Sequence, residues 1–395
     1  MESGNLLILQ SGMSGVVGNS ILYGLLNEAL QHEAIEEIYG AYDGFEGIAS
    51  SHWIPLADLP QKTVQNLLST AGYALRHESD GFVPNDEVFH QMVENLSNNN
   101  IKWVAVIGNQ SSIIWSRQLV QAAEAAHYPL QVLVAPQSNH NDLPITDYSL
   151  GYGSVLKFLN ASLISFNKML AEERITVGIF EIDGCKNGWI PAGTILSQIK
   201  SSKTSNMNEL PYIVCLPEQP FESATFLDKI RAKRRPNTPL TIVTSSQLID
   251  ADGQPLDIQH YGSVKTYLEY IIQDNLKLVT YGTQCNLYTQ PLSHFISKQD
   301  QDNAVNCGAE TIKALMDGVS GKAAILVKGN RKDTLYNIDF VPLKDMENGT
   351  KFFPVDWITA DGLSVNYSMV KYAAPLIKGE VAEAFENGIP HLVQL

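Results

Sequence analysis

The stretch "NLLILQSGMSGVVGNSILYGLLNEAL", from Asn5 to Leu30, decides the fold class. Leu6 to Leu9 form an unbroken apolar run, which ends at a turn carrying Gly12, Gly15 and Gly18. Beyond the turn, Ile21, Leu22, Leu25, Leu26 and Leu30 recur at helical spacing. A strand that is apolar at consecutive positions is buried on both faces, as in a parallel sheet covered by helices. The spacing therefore predicts a strand, a tight loop and a helix. The theme repeats in "WVAVIGNQSS" (103–112) with "SRQLVQAAEAA" (116–126), in "LQVLVAP" (130–136) and in "ITVGIFEIDG" (175–184). "PYIVCLPE" (211–218) and "PLTIVTSS" (239–246) close the series. "GAETIKALMDGVSGKAAILVKG" (308–329) predicts a helix, a turn and a strand, and residues 357–381 a late helical lobe.

At 395 residues the chain exceeds what one small core organises. The expected fold is α/β, with two Rossmann-like lobes whose mainly parallel sheets are flanked by helices. The expected lobes are 1–150 and 151–395, the second ending in a helical extension, with segments free to interlace. Hydrophobic residues make up 44% and charged residues 17%, which are globular values. A net charge of −15 argues against nonspecific nucleic-acid binding, which needs a basic surface. A small anion is not excluded, because helix N-termini can hold one. The four cysteines (Cys185, Cys215, Cys285 and Cys307) form no CxxC pair, which excludes a zinc ribbon and fits a reducing cytoplasm. "MESGNLLILQSG" has no basic region, and its apolar run is too short for a signal peptide or membrane anchor. The basic run "KIRAKRRPN" (229–237) reads as a solvated helix end stopped by Pro236, or as the border of a phosphate site. The runs 95–100 and 200–209 read as surface turns.

In parallel sheets ligands bind beyond the carboxyl ends of strands. This chain places small polar residues at those ends: "SGMSG" (11–15), "IGNQSS" (107–112), "PQSNHND" (136–142), "EIDG" (181–184) and "LPE" (216–218). Together with "GAYDGFEG" (40–47) and "TDYSLGYGS" (146–154), their order resembles the phosphofructokinase family, in particular its pyrophosphate-dependent branch. "PQSNHND" stands for that family's Pro-Lys-Thr-Ile-Asp-Asn-Asp signature. "GNQSS" stands for its aspartate-bearing phosphate loop, and "EIDGCKNGW" (181–189) for its Glu-Val-Met-Gly-Arg-x-x-Gly-Trp sugar motif. "VKYAAPLIKGEV" (370–381) looks like the end of that branch.

The resemblance implies phosphoryl transfer from pyrophosphate or ATP to fructose 6-phosphate in glycolysis, with Mg²⁺. Such transfer is mostly positioning and neutralisation of oxygen charge. Residues 1–150 would then bind the phosphodonor and 151–395 the sugar phosphate. The expected donor contacts are Gly12, Gly15, Gly108, Gln110, Ser111, Ser112 and Gln137. The glycines either cradle a polyanion or only turn a strand into a helix. Expected catalytic residues are His140, at the family's base position, with Asp142 and Ser138; equally, His140 is a loop residue bonded to Asp142. Expected sugar contacts are Glu181, Asp183, Gly184, Glu218 and Lys265. Glu218 is the best surviving partner for a sugar hydroxyl, its alternative being a loop contact.

Departures from the family pattern fall on the chemistry. No acid remains in 108–112, which removes a metal ligand. Gln137 replaces a lysine, and Cys185 replaces an arginine that would grip an anion through two bonds. Lys186 stands one position along. The alternative function is therefore a catalytically impaired member serving as a regulatory subunit or sugar-phosphate sensor. An oligomer is implied, either of this chain or with another family member, because relatives complete the sugar pocket from a neighbouring subunit. His260 and Lys265 are the nearest candidates for late sugar contacts.

Overall fold

The computed structural model describes residues 3–198, 211–286, 293–331, 334–382 and 385–395. The turn expected at 200–209 lies outside the described residues. The chain forms two compact units. The first comprises 1–154, 291–351 and 378–395; the second comprises 155–290 and 352–377.

The strands along the chain are β1 (Gly4–Ser11), β2 (Ile35–Ala41), β3 (Trp53–Pro55), β4 (Ile101–Gly108), β5 (Gln131–Ser138), β6 (Leu150–Gly151), β7 (Val177–Asp183), β8 (Tyr212–Cys215), β9 (Leu240–Ser245), β10 (Thr280–Asn286), β11 (Lys322–Arg331) and β12 (Thr334–Pro342). In the first unit the sheet order is β12-β11-β5-β4-β1-β2-β3, with β6 beside β5. Its centre is parallel, pairing Leu7 with Val104 and Leu9 with Val106; β3 and β12 join antiparallel at the two edges. Leu6, Leu7, Ile8 and Leu9 are all fully buried, as an apolar run covered on both faces requires. One face packs Leu7, Leu9, Val104 and Val106 against Phe89, Met92, Ile113 and Leu119 of the covering helices. Behind β1, the helix Gly18–Ala29 packs on the helix Lys298–Met316. A Cβ on Gly24 would sit 2.1 Å from the Val305 carbonyl oxygen, so glycine permits that close approach.

That helix pairing, with β11 beside β5, draws 291–351 into the first unit. The two units therefore interlace along the chain, 291–351 and 378–395 belonging with 1–154. The helix Tyr152–Glu172 carries the chain from one unit to the next. One correction concerns 95–100: Asn95 to Asn98 are the last turn of the helix Asp86–Asn98, and the Asn95 amide donates to the carbonyls of Ile48 and Ala49.

The second unit is a parallel sheet of order β10-β7-β9-β8. Val177, Ile179, Ile213 and Ile242 pack against Ile230, Leu268 and Ile272. The returning segment 352–377 covers the edge strand, with the Val214 N–H donating to the Leu363 carbonyl at 2.9 Å. It also surrounds Trp189, which is 2% exposed, with Phe353, Trp357 and Tyr372. Among the described residues no helix is long and apolar enough to cross a membrane.

Candidate functional site

In the first unit, the loops after β1, β4 and β5 enclose a cavity of about 90 Å³. It is lined by Met13, Ser14, Gly15, Asn109, Gln110, Gln137, Ser138, Asn139, His140 and Asp142. The sequence-predicted donor and catalytic residues Gly15, Gln110, Gln137, Ser138, His140 and Asp142 are therefore brought together. Gly12, Gly108, Ser111 and Ser112 do not line it.

Their polar groups are largely committed to one another. The Asn109 side-chain oxygen caps the helix Gln110–Ala125 by accepting from the Ser111 N–H at 3.2 Å and the Ser111 hydroxyl at 2.7 Å. The Ser112 hydroxyl donates to that of Ser11 at 3.0 Å. The Gln110 amide donates to the carbonyls of Met346 and Glu347 at 2.5 and 2.7 Å. The Ser138 hydroxyl donates to Asp142 Oδ1 at 2.5 Å and accepts from the His140 backbone N–H at 3.1 Å.

Mg²⁺ is bound through oxygens, normally with one or two carboxylates among them. Among the described residues Asp142 is the sole carboxylate in the cavity wall, and one of its oxygens holds Ser138. Residues 109–112 offer only neutral amide and hydroxyl oxygens, and of these Asn109 Oδ1 already accepts from Ser111. Among the described residues no cluster of three or more His, Cys, Asp or Glu side chains could hold a metal. This donor set does not fit Mg²⁺.

In the second unit, the sugar motif and the Leu-Pro-Glu loop leave β7 and β8. Glu181 is 1% exposed and both its oxygens are engaged. Oε2 accepts from the Lys265 N–H at 2.5 Å, where the helix Val264–Leu276 begins, and Oε1 accepts from the Gln284 amide at 3.1 Å. Burial raises its pKa, which the Lys265 N–H partly offsets. Asp183 turns into its own loop, accepting from the Gly184 N–H at 2.8 Å, and Gly184 takes the left-handed conformation the turn needs (φ +76°). The Lys265 ammonium lies 3.6 Å from Glu269. Glu181 and Asp183 thus bond within the chain, and the Lys265 ammonium pairs with Glu269 along its own helix.

Cys185 is 1% exposed, and burial pushes its thiol pKa up. It sits inside the turn, so no anion contact arises from that position, and Lys186 beside it is exposed. His260 is exposed too. Arg234 and Arg235 of the basic run lie with Arg174 around another cavity, of about 420 Å³. It adjoins the amino ends of β7 and β9, opposite the ends that carry the sugar motif, so the run does not border that motif.

Glu218 behaves differently. Its Oε1 accepts from the Gly188 N–H at 2.7 Å, while Oε2 is buried and has no hydrogen-bond partner. Burial raises the Glu218 pKa, and the Gly188 N–H pulls against that rise. A buried acceptor without a donor is costly, and a ligand hydroxyl placed there would relieve that cost.

The phosphofructokinase family pattern matches residues 5–315. The chain belongs to the phosphofructokinase family. Its relatives include the pyrophosphate–fructose 6-phosphate 1-phosphotransferase of Halomonas elongata, 25% identical over all of this chain and 97% of that protein. The enzyme of the same name from Methylococcus capsulatus is also 25% identical, over all of this chain and 96% of its own length. The structure of a pyrophosphate-dependent phosphofructokinase from Nitrosospira multiformis superposes with a TM-score of 0.89 at 23% identity, covering 99% of this chain and 96% of that one, and so shares the fold.

Sequence reasoning missed three residues that shape the first unit's loops. Glu78 accepts from the Gly12 N–H, and Tyr73 accepts from the Gln137 amide at 2.7 Å. Asp300, fully buried, accepts from the Gly151 and Ser154 N–H groups and the Ser154 hydroxyl. All three act across long sequence separations and carry no local motif.

Proposed function

We propose that this chain binds fructose 6-phosphate, or a phosphosugar of the same shape, without efficient phosphoryl transfer, as a regulatory subunit or sensor of the phosphofructokinase family. The relatives' names supply the substrate class, and Glu218 supports it in this chain. Its unpartnered Oε2 is a buried carboxylate oxygen suited to a sugar hydroxyl, worth about 1.5–3 kcal/mol when made. Against transfer stands the cavity of the first unit, where the metal and base positions carry amides, hydroxyls and His140. A histidine beside two phosphates is favoured as the cation, which opposes taking a proton. The reading places the protein in the cytoplasm, in an oligomer with itself or with a catalytic family member.

Titration calorimetry with fructose 6-phosphate on the wild type and on Glu218→Gln tests it. Saturable binding that the substitution weakens supports the reading; no binding by the wild type, or turnover at ordinary enzymatic rates, ends it.

The second reading, a working phosphotransferase with His140 as base, draws on the full-length match to the two named relatives and on Asp142 two residues away. Turnover abolished by His140→Ala would establish it.

A further inference from the structure

We propose that Glu78 is a resident anion that closes the donor half of the first unit to pyrophosphate, with Gln137 filling the space beside it. The inference rests on the reading that this chain does not transfer phosphoryl groups efficiently, and supplies its cause.

The Glu78 side chain is more than nine-tenths buried, at 6% exposure. Its Oε2 accepts from the Gly12 N–H at 2.9 Å, on the glycine loop itself, and its Oε1 accepts from the Phe45 N–H at 2.8 Å. Gly44 has positive φ (+63°), and a Cβ there would stand 2.3 Å from Glu78 Oε1, so the glycine makes room for the carboxylate. A buried carboxylate with two backbone donors is a stable fixture.

The other loop glycines are filled in the same way. A Cβ on Gly15 would meet Gln137 Oε1 at 2.4 Å; one on Gly18 would meet the Tyr73 ring at 2.4 Å and Gln137 Nε2 at 2.9 Å. Gln137 is 1% exposed, and its Oε1 is left without a partner. The Val16 N–H donates to Asn139 Oδ1 at 3.2 Å. At least two loop N–H groups, of Gly12 and Val16, are therefore spent on the chain's own side chains. The space beside the glycines holds amide and phenol groups, and no Lys or Arg lines the cavity among the described residues. An entering polyanion would meet the unpaired Gln137 oxygen in the wall and, beyond it, the carboxylate held on Gly12, both repulsive to it, with no lysine or arginine in the wall to offset them.

The test titrates inorganic pyrophosphate, with and without Mg²⁺, into the full-length wild type, Glu78→Gln, Gln137→Lys and the double variant, each shown to be folded by circular dichroism. The wild type should show no saturable binding. Glu78→Gln should gain about tenfold or more in affinity from removal of the like charge, and the double variant more again. Gln137→Lys alone should gain less than Glu78→Gln. Micromolar binding by the wild type overturns the proposal, a result that needs no variant to fold. Unchanged affinity in folded Glu78→Gln, or tight binding by Gln137→Lys alone, does the same. A parallel titration of wild type with fructose 6-phosphate keeps the two readings separate: its failure removes the proposed function and leaves the pyrophosphate result standing.

Discussion

The two units build loops at the same place, the carboxyl ends of buried parallel strands, yet leave them in opposite states. In the first unit most loop donors and acceptors find partners within the chain, Glu78 on Gly12, Asn139 on Val16 and Asn109 on Ser111, and the one buried loop atom left over among the described residues is a neutral amide oxygen, Gln137 Oε1. In the second, Glu181 and Asp183 are likewise satisfied, but Glu218 keeps one buried oxygen unpaired. A loop whose polar groups answer one another has little left for a ligand. A loop that holds one buried acceptor open carries a cost that a ligand can relieve. On the proposed reading, the difference separates a structural remnant from a retained site on a shared architecture.

The largest effect tests whether the first unit is closed to chemistry. Loss of a positioned base alone costs about 10²–10⁴ in rate, and here the metal ligands are replaced as well. A coupled assay with fructose 6-phosphate, Mg²⁺ and either donor should show turnover at most about 10⁻⁴ of a typical kinase. His140→Ala should leave any residual rate unaltered. A rescue attempt belongs at Ser111→Asp and His140→Asp; Cys185→Arg is excluded, because a guanidinium has no room at a side chain 1% exposed.

Trp189→Ala probes the seat of the second unit's loop. The ring is packed edge-on against Phe353 and Trp357, 5.2 and 5.9 Å away, and tilted against Tyr372, and its removal should cost about 3–5 kcal/mol in chemical denaturation. Fructose 6-phosphate binding should weaken with it, since Gly188, the partner of Glu218, precedes Trp189.

Asp300 shows how the first unit is held from within. Burial lifts its carboxyl to about 6 from an ordinary 3.8, so the folded state resists its ionisation. Its contribution is most favourable below pH 4, where both states are protonated, and declines as pH rises toward 6. The loss is at most about 3 kcal/mol. The difference between wild-type and Asp300→Asn stability should therefore change across pH 4–6 and stay flat above.

The smallest effect is on the open side. Glu218→Gln should weaken fructose 6-phosphate binding by about ten- to a hundredfold, one charged hydrogen bond's worth. An unchanged affinity would remove the contrast between the two units.

Much of this was legible in the sequence, because burial writes itself into apolar runs. Leu6–Leu9 and the strand-end loops marked the sheets and brought Gln110, Gln137, Ser138, His140 and Asp142 to one cavity. The departures from the family motifs also stood in plain view. What the sequence did not carry was the pairing between distant side chains. Glu78 is 66 residues from Gly12, and Lys265 is 84 from Glu181, so neither partnership leaves a local pattern. Nor did the sugar motif reveal that Glu181 accepts from Lys265 and Gln284 and Asp183 from Gly184. The return of 291–351 to the first unit was hidden for the same reason: β11 finds β5 across a long separation.

The contrast between a closed and an open half comes down to two phosphate compounds in one tube. A ³¹P NMR titration of the wild-type protein against fructose 6-phosphate and pyrophosphate with Mg²⁺ observes both at once. The sugar-phosphate resonance should shift and broaden saturably while the pyrophosphate resonance stays as in buffer; a perturbed pyrophosphate signal, or its conversion to orthophosphate as the sugar gains a second phosphate, would contradict the account.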